Sequence, residues 1–135
     1  MHHKAVLCQD EVSRILAAAR AEAHRQQWPV SIAVVDDGGH PLALERLDGC
    51  APISAYIALE KARTAALGRR ESKAYEDMVN AGRSAFLSAP LLTSLEGGVP
   101  IRVDGQVVGA VGVSGVRSGE DAQVAQVAAN CLEGS

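Results

Sequence analysis

Aromatic residues are nearly missing from this chain. Trp28, Tyr56, Tyr75 and Phe86 make up 3% of its 135 residues. The core must therefore be built from Ala, Val, Leu and Ile, and the alanine-rich helices can pack close to a sheet. Cysteine is also scarce. Cys8, Cys50 and Cys131 are odd in number and far apart, so neither a CxxC metal site nor a disulfide framework is suggested. They read as three reduced thiols, and only Cys50, beside Asp48-Gly49, has a suggestive neighbourhood. No window approaches the ~20 apolar residues that a membrane helix needs. Met1-His2-His3-Lys4 lacks the apolar stretch of a signal peptide. A soluble, cytoplasmic protein with no membrane partner is expected. A net charge of -3 gives no electrostatic reason to expect nucleic acid. Walker, Rossmann, zinc and nucleophile-elbow patterns are absent.

What is present is apolar and glycine-punctuated. Apolar residues are 47% and charged residues 21%, the balance of a globular chain. Residues 1–135 read as one domain, long enough for a real core. Residues 10–27 fit a helix whose apolar face is Val12, Ile15, Leu16, Ala19 and Ala23. Asp10 and Glu11 suit its first turn, and Pro29 ends it. Val30–Val35 is a β-branched run that reads as a buried strand. Dense turn punctuation follows at Asp36-Asp37-Gly38-Gly39-His40-Pro41, and Leu42–Leu47 completes a hairpin.

Ser54–Leu67 reads as a second helix, with Ala55, Ala58 and Ala62 on a small-residue face and Gly68 as its stop. Ser72 could cap a third, running to about Phe86 and weakened late by Gly82. A second hairpin follows: Glu96 to Ile101, an Asp104-Gly105 turn, then Gly109 to Gly115. Glycines inside a strand are tolerated where another backbone or a ligand must come close, so this hairpin is expected to form the floor of something. A last helix opens at Ser118-Gly119-Glu120-Asp121. Helices on an antiparallel sheet make an α+β domain.

Four blocks carry a family resemblance. They are Ile32 to Asp36 with Gly38-Gly39-His40, Arg46-Leu47-Asp48-Gly49, Lys61 to Ala66, and Gly97 to Gly115. Together, in this order, they resemble the GlcG/HbpS-like family, which also supplies the C-terminal domain of PduO-type proteins. The resemblance implies a profilin-like antiparallel sheet of about five strands with helices on both faces. It implies a homodimer or larger homo-oligomer. Some relatives bind haem and have been linked to haem or iron handling; others are encoded with glycolate or diol catabolism. The sequence departs from the family pattern at Gly68-Arg69-Arg70-Glu71-Ser72 and at Cys50.

The candidate residues each carry two readings. His24, near the end of the first helix, suits an axial haem ligand or an exposed helix-end cation. His40, at the hairpin tip, suits an iron ligand or an acid or base beside Asp36, or a solvent-exposed turn. Arg46 suits a propionate or carboxylate, or a structural pair with Asp48, two residues on and on the same face. Lys61 and Thr64 share a helix face and could meet an anion over the amides near Gly97 and Gly98. Alternatively, the Lys61 stem covers apolar surface. Glu96 is a candidate base, or a partner for Lys61 or Arg63. Two functional readings result. One is a haem- or tetrapyrrole-binding protein with a histidine ligand at His24 or His40 and Arg46 and Lys61 for propionates. The other is an enzyme of small organic-acid or aromatic catabolism working by proton transfer or lysis, with Lys61 and Glu96 at its centre. A non-catalytic interaction module is a third, plainer reading.

Overall fold

Helix α1 (Gln9–Gln26) begins where the Glu11 carboxylate accepts the Cys8 N–H at 2.8 Å, closing the first turn. It ends at Gln27, which takes a left-handed conformation (φ 62°), while the Trp28 N–H donates to the Ala23 carbonyl at 2.9 Å. The helix is therefore stopped two residues before Pro29. Strands β1 (Ser31–Asp36) and β2 (Pro41–Arg46) follow as a hairpin, then α2 (Ile53–Gly68) and α3 (Lys73–Asn80). The third helix is shorter than its sequence suggests. Gly82 takes φ 106°, and a short 3-10 helix, Ser84–Ser88, replaces the last turns. Strands β3 (Gly98–Val103) and β4 (Gln106–Ser114) form the second hairpin, and α4 (Ser118–Ala129) closes the chain. This computed structural model describes residues 1–133.

Among the described residues there are four strands, not the five expected, in the order β2-β1-β4-β3 with every neighbour antiparallel. The β-branched run of β1 is central and buried. Its even residues, Ile32 and Val34, join Val111 and Val113 beneath α1 and α4. Its odd residues, Ala33 and Val35, join Ala110 beneath the alanine face of α2. Helices thus cover both faces, as expected. No helix among the described residues is long and apolar enough to cross a membrane.

The alanine face lets α2 lie directly on the sheet. Gly98 and Gly112 are register partners across β3 and β4. A Cβ at Gly112 would stand 2.0 Å from the Ala58 carbonyl oxygen, and one at Gly98 would stand 2.1 Å from the Lys61 carbonyl oxygen. The glycine floor expected from the sequence exists, and the main chain of α2 rests on it.

Candidate functional site

Where β1 begins and β2 ends, the close of α1 and the Leu47–Gly49 loop enclose an open cleft of about 800 Å3. Three residues singled out from the sequence meet there: His24, Arg46 and Asp48. All three are exposed. The Arg46–Asp48 pair is not formed, and neither residue has an ion-pair partner among the described residues. Arg46 therefore keeps its planar donor fork free for a carboxylate.

The wall of this cleft was not evident in the sequence. Arg20 binds Glu45 through two parallel hydrogen bonds, Nε to Oε1 at 2.7 Å and Nη2 to Oε2 at 2.9 Å. These bonds hold the Glu45 carboxyl below its ordinary value against the opposing effect of burial, and the nearby His24 adds to the lowering. Trp28, Pro29, Ala23 and Leu47 give the cleft its apolar surface. A signal did exist for Arg20. It lies four residues before His24 and so shares that residue's helix face. On β2, Glu45 pairs with Ile32 and faces α1, while the next residue, Arg46, pairs with Ser31 on the other face and so lines the cleft from its rim.

His40 lies at the far end of β1, so the two candidate histidines do not converge. Its Nδ1 is 3.1 Å from Asp36 Oδ1, which also accepts the N–H groups of Gly38 and His40, both at 2.9 Å. Burial works to raise the Asp36 carboxyl, and these bonds outweigh it and hold it below its ordinary value. His40 itself keeps 78% of its side chain exposed. No cluster of three or more His, Cys, Asp or Glu suited to a metal ion occurs among the described residues.

The remaining candidates sit in the interior. The Lys61 ammonium passes the place where a Cβ on Gly97 would be, 2.8 Å from it. It donates to the Val113 carbonyl at 2.9 Å and to Asp121 Oδ2 at 3.1 Å. Asp121 also accepts the Val116 N–H at 3.1 Å. Burial pushes the Asp121 carboxyl upward, with the Lys61 charge opposing. Only 4% of the Lys61 side chain and 3% of Asp121 reach solvent, so the pair is closed to a ligand in this conformation. The Thr64 hydroxyl donates to the Glu60 carbonyl at 2.9 Å and accepts the Thr93 N–H at 2.8 Å. Glu96 is half-buried beside α3, its N–H 3.4 Å from Glu76 Oε1, and it pairs with neither Lys61 nor Arg63.

The comparisons with known proteins agree with the fold. A family model described as haem degrading protein HbpS-like matches residues 7–130. Protein GlcG of Escherichia coli strain K12 is 68% identical over 114 residues, spanning 84% of this chain and 85% of that protein. A crystal structure of HbpS superposes with a TM-score of 0.89 at 30% identity, covering 98% of this chain and 94% of the other. A crystal structure of a PduOC:heme complex superposes at 0.85 with 25% identity, covering 96% of each chain.

Proposed function

The chain belongs to the haem degrading protein HbpS-like family, and on that premise we propose that it binds haem in the cleft between α1 and the end of β2. The observation that carries the reading is the convergence of His24 and an unpaired Arg46 on one partly apolar cleft. The chemistry of this donor set fits the group. His24 offers an exposed imidazole for the iron, and Arg46 offers a fork that suits a propionate carboxylate. Trp28, Pro29 and Leu47 supply an apolar surface for the macrocycle. When bound, haem would supply iron redox chemistry. The chain's own part is to hold the carboxylates, limit water at one face and keep the wall rigid through Arg20 and Glu45. A relative solved with haem adds support. The few aromatic residues and the open shape favour a surface or interfacial site over a deep pocket.

The proposal includes self-association. Strands β2 and β3 are the two edges of the sheet, and an open edge is a template for pairing with another chain. The sequence points to the Val99–Val103 edge, and β3 is an edge strand, with its Val99 and Ile101 side chains turned inward. The exposed apolar edge is β2, through Leu42 and Leu44. This edge ends at Arg46, within the cleft.

Hemin titration of the apo protein tests the reading. A Soret shift saturating near one haem per chain is expected, lost in His24→Ala, weakened in Arg46→Ala and retained in His40→Ala. Broad, non-saturating absorbance would overturn the proposal. Loss in His40→Ala with retention in His24→Ala would overturn the assignment to this cleft.

A further inference from the structure

At the other end of the sheet, β1 runs out into a second basin, of about 450 Å3. Strand β1 has six residues, so the two ends are roughly 20 Å apart. Lys4, Arg69 and Arg102 line this basin with a single carboxylate, Asp37, among them. Lys4 takes that carboxylate. The two arginines are therefore left without an acidic partner among the described residues.

The main chain aims both guanidinium groups. Arg69 ends α2 in a left-handed conformation (φ 57°), and its Nη1 donates to the Asp37 carbonyl and, at 2.8 Å, to the Ala66 carbonyl. Arg102 Nη2 donates to the Arg69 carbonyl at 2.9 Å. Each group is thus anchored through one nitrogen. Nε and the other terminal nitrogen of each make no hydrogen bond to the described residues. Carbonyl anchoring orients a guanidinium without neutralising its charge. Arg69 thus keeps its Nε–Nη2 fork whole and Arg102 keeps Nε–H and Nη1–H free, with a lysine beside them, the charged donors that a carboxylate or phosphate group accepts.

We propose that this basin binds a small doubly charged oxyanion, a dicarboxylate or a phosphate group, between Arg69 and Arg102. The site is separate from the haem cleft and shares no lining residue with it. Two charges on the ligand balance the two uncompensated guanidiniums, and Lys4 stays with Asp37.

Calorimetric titration at constant ionic strength tests the site, with malonate in one arm, inorganic phosphate in another and chloride as the reference. Saturable binding near one anion per chain is expected in at least one arm, and the responding arm identifies the acid. Arg102→Gln should weaken it about tenfold or more, since a charge-assisted hydrogen bond is lost. Arg102→Lys keeps the charge but loses the planar guanidinium donors, so it should fall between the parent and Arg102→Gln. Thermal melts of each variant establish that the fold persists. Absence of saturable heat in both arms overturns the proposal. So does binding that Arg102→Gln leaves unchanged, or that chloride matches. The hemin titration reads a different end of the molecule, so each proposal can fail while the other stands.

Discussion

Lys61 on α2 reaches around the end of the sheet to Asp121 on α4, Nζ to Oδ2 at 3.1 Å, and so ties the two helical layers together. Removing either charge strands the other in the interior. Lys61→Met or Asp121→Ala should each destabilise the fold by about 3–5 kcal/mol. The double variant Lys61→Met/Asp121→Leu should recover part of that loss, since an apolar pair leaves no buried charge. Urea unfolding of the single and double variants checks this. Single variants as stable as the parent would refute the structural role.

The glycine pair under α2 gives a sharper contrast. Gly98→Ala and Gly112→Ala each force a methyl into main-chain atoms 2.0–2.1 Å away. Neither α2 nor the strands can give way cheaply, so a loss of about 3 kcal/mol or more is expected. Gly119, in the first turn of α4, has nothing within 4 Å of its added Cβ. Gly119→Ala should be neutral or stabilise by up to about 1 kcal/mol. Melting temperatures of the three variants, measured side by side, decide the matter.

A third expectation concerns acid. Arg25 first, then Gln123 and Gln26, donate to the Glu22 carboxylate and hold it below its ordinary value of 4.5, against burial. The native state keeps Glu22 charged after the unfolded chain has taken up its proton. Its stabilising contribution is full above pH 4.5 and is lost as pH falls through the lower native value. Glu22→Gln should flatten the decline in urea midpoint between about pH 5 and 3. An unaltered slope would mean that Glu22 does not link α1 to α4 in this way.

Trp28 is the chain's only tryptophan, and it lines the proposed haem cleft. Its fluorescence should be quenched saturably by hemin, with the same midpoint as the Soret change. In Arg46→Ala both midpoints should move together to higher hemin concentration. Quenching without saturation, or midpoints that part company, would place the haem elsewhere.

Light scattering at micromolar concentration addresses assembly. A mass of at least two chains is expected, falling to that of one chain in Leu44→Lys, which puts a charge on the exposed edge. A folded parent of one-chain mass at every concentration would exclude an interfacial haem site.

Much of the fold could be read from spacing. The alternation in β4 and the Asp104-Gly105 turn signalled a hairpin, and both turn residues do take positive φ, 50° and 79°. The alanine pattern of α2 announced close contact with a sheet. The third helix ends earlier than its spacing suggests, because the backbone turns at Gly82, at φ 106°. The site was only half legible. His24, Arg46 and Asp48 were visible as chemistry, and the structure brings them together. Lys61 looked like an anion binder, because sequence cannot show that Asp121, sixty residues on, and the Val113 carbonyl hold its ammonium in the interior. The Arg20–Glu45 wall was hidden for the same reason: a contact between α1 and β2 leaves no local trace.

The seating of α2 on bare main chain has a mechanical consequence. At Gly98 and Gly112 no side chain separates helix from sheet, so α2 cannot slide or roll without breaking main-chain contacts. The helix and its strands then behave as one stiff slab. Side chains at either end of that slab can be exchanged without changing the distance or angle between the ends. The two proposed sites can therefore be retuned independently of each other.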